Sequence, residues 1–267
     1  MEIIELFKDS LTYPTKDWNK LLIFGVLFII AGIFGLLQAL GIALSQYIAA
    51  NILEIISAII FIIVGLIIYG YTLSIVRTTV KDTDDPLPDF DWGKNFIDGI
   101  KLAILHIVYY IIPVIITLIV AYATGAFNYF YQLAILSAST GSIQTAPESL
   151  VASAGLSFLT VFIIAAILFI IFGLLFLIAK AVLAETESLG AAANFANVFK
   201  KISKIGWGTY IIWLILFAII LIVIGIITTL INAIPFIGAI IVLLIVKSYT
   251  EIFSARTLGL IYNESKE

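Results

Sequence analysis

The sequence has no cysteine, a single histidine and few charged residues. Of its 267 residues 63% are hydrophobic and 12% are charged, whereas soluble domains have a charged fraction of roughly 25%. The absence of cysteine excludes disulfides, thiolate metal sites and cysteine nucleophiles. One histidine excludes mechanisms that need a histidine pair, and the chain also lacks a Walker loop, a GxSxG elbow and an HExxH sequence. With a net charge of −3 and no basic stripe, a nucleic-acid partner is excluded.

Six apolar runs are each long enough to cross a hydrocarbon core of about 30 Å as a helix. They lie at about 21–44, 52–76, 102–123, 156–179, 209–231 and 234–255. The runs lack the strict alternation of barrel strands, and only helices then satisfy the backbone hydrogen bonds within a bilayer. The sequence therefore predicts an all-α, polytopic protein of the cell membrane, with six transmembrane helices in a single membrane domain.

The fourteen lysines and arginines occur in alternate connections between these runs. They precede the first run, separate the second from the third and the fourth from the fifth, and lie towards and beyond the end of the sixth. The other three connections contain none. Because positive residues are retained on the cytoplasmic side of a membrane, we predict that both termini are cytoplasmic.

A short stretch with amphipathic spacing precedes each odd-numbered run. Its apolar residues recur every three or four positions, as in a helix that lies in the cytoplasmic membrane interface. The stretches contain Ile3, Phe7 and Leu11; Phe90, Ile97, Ile100 and Ile104; and Phe195, Val198, Phe199, Ile202 and Ile205. The chain can be divided into three tandem units at about 1–80, 81–180 and 181–267, each an interfacial helix followed by a membrane hairpin. The alternative is that these are the ordinary connectors of a polytopic protein.

Four residues in the predicted spans are candidates for function: three are titratable, which is rare in a bilayer, and one is a proline, which bends a helix. His106 would relay protons, or it packs as a neutral ring beside two tyrosines. Pro113 lacks an N–H and predicts a kink, which is either a hinge or a packing feature. Lys247 and Glu251 are four residues apart and share a helix face. They either form a pair while the lysine reaches towards the cytoplasm, or they bind a substrate.

The segment from Asp82 to Asp91 contains five aspartates around two prolines. The DDxxxD spacing of Asp84, Asp85 and Asp89 is similar to the metal-pyrophosphate motifs of prenyl-transferring enzymes, and clustered carboxylates are ligands for Mg²⁺ or Ca²⁺. A second aspartate motif and a basic partner cluster are both lacking. We therefore interpret the segment as a solvated turn that ends in a helix cap at Asp89, and we predict no cofactor.

Small residues are spaced by four along the first run, at Ala31, Gly35, Ala39 and Ala43. Such a stripe lets helix backbones approach closely, either within one chain or in a homo-oligomer. The lipid bilayer is the first predicted partner, and the cytoplasmic interfacial helices are a place for a protein partner.

Three segments carry a resemblance to a known family: DSLTYPTKDWNKLL at Asp9–Leu22, LPDFDWGKNFIDGIK at Leu87–Lys101 and LGAAANFANVFKKI at Leu189–Ile202. Over nearly its whole length the chain resembles the archaeal integral-membrane family called domain of unknown function 4013. The resemblance implies a polytopic membrane protein without an established activity. It transfers no functional residues.

Two classes of function are compatible with these observations. The favoured hypothesis is a non-enzymatic protein that binds or moves a hydrophobic or small solute, or that scaffolds partners in the membrane. The alternative is a metal-dependent, lipid-modifying membrane enzyme that uses the loop from Asp82 to Asp91.

Overall fold

The computed structural model describes residues 2–33, 35, 50–82, 86–142, 146–235 and 237–266, which are almost entirely helical and contain no strand. The helices of these residues are α1 (Ile3–Thr12), α2 (Trp18–Ala31), α3 (Ala50–Lys81), α4 (Trp92–Ala123), α5 (Ala126–Thr140), α6 (Glu148–Thr186), α7 (Leu189–Ala193), α8 (Phe195–Ile205), α9 (Trp207–Asn232) and α10 (Ile237–Asn263). A 3₁₀ turn at Tyr13–Lys16 joins α1 to α2, and α10 contains a π-helical stretch at Val242–Lys247.

Five helices of the described chain, α3, α4, α6, α9 and α10, are long and apolar enough to cross a membrane. The prediction of an all-helical, multi-pass architecture is confirmed at this level. The predicted first span, 21–44, is described only through α2, an apolar helix of 14 residues. Most of its remainder lies outside the described residues, so the total of six spans and the direction of the termini stay predictions.

The spanning helices are longer than the apolar runs that predicted them. α4 begins at Trp92, ten residues before the predicted start of the third span. The separate interfacial helix predicted from Phe90, Ile97, Ile100 and Ile104 is therefore wrong. Phe90 precedes the helix, and no proline separates Ile97 and Ile100 from the run that follows, so one continuous helix forms. The other two amphipathic stretches do form separate helices, α1 and α8.

The connection between the third and fourth spans contains α5, a helix that the apolar runs did not predict. Gly125 and Gly141 flank it, with φ angles of 73° and 72°. Both angles lie in the left-handed region that glycine enters without steric cost, and these two residues therefore bound the helix.

The chain divides into two compact units. The first unit comprises Met1–Leu105 and Leu177–Glu267, and the second comprises His106–Phe176. In the first unit the core forms where α1, α8 and the C-terminal parts of α3 and α10 meet. Its fully or almost fully buried side chains include Leu6, Phe7, Tyr71, Leu73, Val76, Val198, Ile202, Phe253 and Ile261. This protein core occupies one end of the unit, which we call the polar end because its ion pairs lie there too.

Glycines bring the helices of the first unit into backbone contact. A Cβ atom at Gly70 of α3 would overlap the carbonyl oxygen of Asn95, and one at Gly99 of α4 would overlap that of Leu66. Gly70 lies four residues after Leu66, and Gly99 lies four residues after Asn95. The two close contacts therefore belong to one crossing of α3 and α4. In the small-residue stripe predicted for the first span, Ala39 and Ala43 lie outside the described residues.

Candidate functional site

Asp91, rather than Asp89, caps the helix that follows the aspartate segment. The Lys94 backbone N–H donates to Asp91 Oδ1 at 3.0 Å, and α4 begins at Trp92. The predicted cap at Asp89 is therefore wrong, because the chain is still non-helical from Pro86 to Asp91. A cap residue immediately precedes the first helical residue, and Asp91 meets this requirement.

Asp89 forms an ion pair instead. Its carboxylate lies 2.8 Å from Lys20 Nζ, and the hydrogen bond and charge of this lysine hold the pKa of Asp89 below its ordinary value. Asp84 and Asp85 lie outside the described residues, so the DDxxxD grouping stays a prediction. In the described part of the chain, no three carboxylate or imidazole side chains are grouped closely enough to hold a metal ion.

His106 and Pro113 belong to the second unit. The His106 ring stacks on Tyr110 with ring centroids 4.3 Å apart and meets the edge of Phe176 at 4.9 Å. Pro113 is buried inside α4, which continues without interruption to Ala123. The structure thus gives His106 aromatic neighbours, while the proton relay and the hinge stay predictions.

Lys247 and Glu251 do not form an ion pair with each other in the described structure. Lys247 is exposed at the end of the π-helical stretch. Glu251 is half-buried, and its charge acts on Lys180 of α6. Lys180 Nζ in turn donates to Thr72 Oγ1 at 3.0 Å. A lysine, a carboxylate and a hydroxyl from three spanning helices therefore share one region.

Sequence reasoning missed Lys180, because the apolar run ends at about 179 and the lysine was counted in a cytoplasmic connection. In the structure α6 continues to Thr186, and Ala181, Val182, Leu183 and Ala184 are completely buried. These four helix-compatible apolar residues directly after the lysine were the available signal, since a run that resumes after one charge favours a continuing helix.

An apolar cavity of about 500 Å³ lies between α9 and α10 in the first unit. Its walls are formed by Leu11, Ile219, Ile220, Val223, Ile224, Ile227, Ile245, Val246 and Tyr249. Ile219 to Ile227 are eight residues apart, which corresponds to about 12 Å of helix. Val223 is 50% exposed, so the cavity is open along α9 rather than enclosed.

Tyr249 contributes the only side-chain polar atom among the cavity residues, and that atom is already bonded. Its hydroxyl donates to the Leu11 carbonyl oxygen at 2.6 Å. The side chains of the wall consequently offer a ligand no free hydrogen-bonding group. A polar solute would lose its hydrogen bonds to water on entering such a cavity, whereas a hydrocarbon would not.

An ion-pair network holds the polar end together. Arg77 is buried, and its Nη2 donates to Asp98 Oδ2 at 2.7 Å. Glu187 lies 3.1 Å from Arg77 Nε and 3.6 Å from Lys94 Nζ, although the Arg77 Nε–H is not aligned for a hydrogen bond. The Arg77 charge, with Lys94 and Lys81 adding to it, holds the pKa of Glu187 below its ordinary value. Glu187 also has a left-handed φ of 55°, a conformation that costs a non-glycine residue about 1 kcal/mol or more.

A second part of the network joins α1 to α10. Arg256 Nε donates to Asp9 Oδ1 at 2.7 Å, and the guanidinium lies 4.2 Å from the centre of the Tyr13 ring. Glu185 at the end of α6 accepts from Tyr262 and from Lys201, the latter at 3.1 Å. The buried charges at this end are therefore paired, as burial requires.

The segments that carried the family resemblance are those that hold the polar end together. In the middle segment, Asn95 accepts a hydrogen bond from Ser74 at 2.9 Å, Asp98 pairs with Arg77, and Gly99 allows the close crossing. The other two segments contribute the ion pairs made by Asp9 and Lys201. Their described contacts are structural, and none of them forms a catalytic arrangement.

The family described as "Protein of unknown function (DUF4013)" has a model that matches residues 53–233. The predicted resemblance is confirmed over this range, which includes Leu87–Lys101 and Leu189–Ile202 but not Asp9–Leu22. No curated protein and no solved structure matches the chain. The archaeal origin stays a prediction.

Proposed function

The chain belongs to the family of proteins of unknown function DUF4013, and we propose that it is a non-enzymatic membrane protein that binds the acyl chain of a membrane lipid between α9 and α10. The observation that carries this proposal is the cavity of about 500 Å³ whose walls are entirely aliphatic except for Tyr249. Its ligand is a hydrocarbon, because only a hydrocarbon leaves no hydrogen bond unmade there.

The direction from which the ligand enters also favours a lipid. Ile219, Val223 and Ile227 line the cavity and are each about half exposed. These residues belong to α9, a spanning helix, so their exposed surface adjoins the hydrocarbon of the bilayer. An acyl chain therefore reaches the cavity laterally, without crossing a polar layer.

We also propose that the chain crosses the membrane six times, with both termini in the cytoplasm. Trp18, Trp92 and Trp207 are the first residues of α2, α4 and α9, and each is 43% to 52% exposed. Exposed tryptophans are enriched at the membrane–water boundary. Because these three tryptophans begin the odd-numbered spans, they support a single membrane–water boundary at the starts of those spans. The lysines and arginines on the same side support a cytoplasmic position for this boundary.

Photoreactive lipid tests the acyl-chain site. The purified protein is reconstituted with phosphatidylcholine that carries a diazirine in its acyl chain, and the labelled peptides are mapped by mass spectrometry. We expect labelling to concentrate at 219–227 and 245–249. Val223→Trp fills the cavity and should reduce this labelling severalfold.

Ile222→Trp is the matched control. Ile222 is adjacent in sequence and 62% exposed, but it does not line the cavity. Labelling should persist in this variant. Even labelling of all exposed apolar residues, or an equal loss in both variants, would show that the cavity is not a preferred lipid site.

The enzyme alternative gains no support from Asp89, since the carboxylate of that residue is paired with Lys20. A protein partner at the cytoplasmic face and a homo-oligomer stay predictions. The three-unit division at about 1–80, 81–180 and 181–267 is also a proposal, supported by the tryptophan that begins α2, α4 and α9.

A further inference from the structure

One face of α8 is held by the protein itself. Val198 and Ile202 are completely buried and Ile205 is 6% exposed. The helix is also fixed at its start, where Asn194 accepts from the Asn197 backbone N–H at 3.2 Å and the Asn197 side chain donates to the Ala191 carbonyl oxygen at 3.2 Å. Val198, Ile202 and Ile205, from the apolar stripe that predicted an interfacial helix, are thus used for packing within the first unit, whereas Phe199 of the same stripe is exposed. The opposite face is not needed for that packing.

Two aromatic rings lie on the exposed side where α8 meets α9. Phe199 and Trp207 are 44% and 43% exposed, and their ring centroids are 6.1 Å apart. Gly206 makes the turn between the helices with a φ of 88°, which a residue with a side chain rarely adopts. Since Trp207 is the first residue of a spanning helix, this ring pair lies where lipid headgroups begin.

Two further lysines follow Phe199 in the sequence of α8. Lys200 and Lys204 are exposed and one helical turn apart, and neither has an ion-pair partner in the described structure. Their neighbour Lys201 differs, because it pairs with Glu185 at 3.1 Å and lies over the Tyr262 ring. The sequence contains no aspartate or glutamate from Ser188 to Thr250. The positive charge of this surface is therefore left for an external anion.

We infer that Lys200 and Lys204, with the adjacent rings of Phe199 and Trp207, form a binding surface for the headgroups of anionic phospholipids. The rings supply contact with the upper part of the acyl region, and the two ammonium groups supply attraction to the phosphate and its negative neighbours. A zwitterionic headgroup cancels most of that attraction. The surface is distinct from the cavity between α9 and α10, and the inference does not depend on acyl-chain binding there.

Native mass spectrometry of the intact protein in mild detergent tests the inference. Phosphatidylglycerol and phosphatidylcholine with identical acyl chains are added together, and the ratio of bound lipids is measured. We expect the wild-type protein to prefer phosphatidylglycerol. Replacing both lysines, Lys200→Gln with Lys204→Gln, should reduce this preference roughly 25-fold, since each lysine near an anionic surface contributes about fivefold.

The control removes the same charge elsewhere. Lys8→Gln with Lys81→Gln neutralises two other exposed lysines, and it should leave the lipid preference unchanged. An equal loss in this control would attribute the preference to net charge and overturn the inference. The absence of any preference in the wild-type protein would overturn it as well.

A competition arm separates a lipid site from a site for free phosphate. Millimolar inorganic phosphate should leave the bound phosphatidylglycerol in place, because it cannot contact the ring pair as an acyl chain does. Displacement at that concentration would contradict a lipid site. The Val223→Trp variant should retain the headgroup preference, so that failure of the cavity proposal and failure of this one can be distinguished.

Discussion

The two halves of α3 both contain large apolar side chains, but the surroundings of these side chains differ. In the first half, Ile52, Ile55 and Phe61 are at least 50% exposed. In the second half, Tyr71 and Val76 are completely buried against the rest of the first unit. The apolar character of a side chain alone therefore does not show whether it faces lipid or a protein core. The separation is made by glycines and paired charges, which occur where α3 contacts α4 and α10.

This difference locates the stability of the first unit. Lipid tails are as apolar as leucine, so an isoleucine in the first half of α3 gains little hydrophobic free energy by leaving lipid for a helix surface. At the polar end, by contrast, burial removes side chains from water as well, and ion pairs and close crossings fix the geometry. Substitutions at the polar end should therefore be costly and those in the lipid-facing half nearly neutral.

Breaking the Arg77–Asp98 pair should have the largest effect. Asp98→Ala leaves a buried guanidinium without its closest partner, and the expected loss of unfolding free energy is about 3 to 5 kcal/mol. This loss is measured by monitoring unfolding in mild detergent with circular dichroism. Replacing both residues, Arg77→Met with Asp98→Leu, should recover most of the loss, because an apolar pair needs no counter-charge. A single variant as stable as the wild type would refute the role of the pair.

Crowding the crossing of α3 and α4 should have the next largest effect. Gly70→Ala places a Cβ against the Asn95 carbonyl oxygen, and the expected cost is about 1 to 3 kcal/mol. Gly65→Ala is the matched control on the same helix, since nothing lies within 4 Å of a Cβ there. Thermal unfolding of the two variants should differ clearly. Equal midpoints would mean that the helices do not touch at Gly70.

The helix cap offers a smaller, local contrast. Asp91→Ala removes the acceptor for the Lys94 N–H and should cost about 1 kcal/mol. Asp89→Ala, which removes only an exposed ion pair with Lys20, should produce no measurable change. The reverse order in a chemical unfolding series would restore Asp89 as the cap.

The pH dependence at Glu187 should be the smallest effect. Its pKa is lowered in the folded protein by Arg77, so its ion pairs contribute stability above the unfolded pKa of about 4.3, and that contribution is lost as the pH falls through the folded value. Because Glu187 is partly exposed, we expect less than about 1 kcal/mol. Glu187→Gln should lower stability near neutral pH and converge with the wild type in acid. A constant difference at all pH values would exclude titration of Glu187 as the cause.

The sequence predicted the helical class, the approximate positions of the spans and the family, because uninterrupted apolar runs of this length are typical of membrane-spanning helices and rare in soluble domains. It did not predict the bounds of the helices. The start of α4 at Trp92 is an example, since an amphipathic extension of a spanning helix and a separate interfacial helix have the same periodicity. Lys180 was missed because the apolar run ends just before it, although the helix continues to Thr186.

The site was less predictable than the fold. Lys247 and Glu251 share a helix face, yet Glu251 acts on Lys180 of another helix, a relation that spacing within one segment cannot reveal. The cavity was also not foreseen, because its wall combines α1, α9 and α10 and its residues are ordinary isoleucines and valines. Only the arrangement of the helices distinguishes them from other apolar residues.

Oxygen accessibility along α3 tests most directly whether lipid surrounds its first half and protein its second. The chain has no cysteine, so single cysteines can be introduced between residues 52 and 80 and labelled with a nitroxide without removing others. In lipid bilayers we expect high collision rates with oxygen at Ile55 and Phe61 and low rates from Leu73 to Val80. Equally low rates in both halves, or high rates throughout, would contradict the division of α3 into a lipid-facing and a protein-buried half.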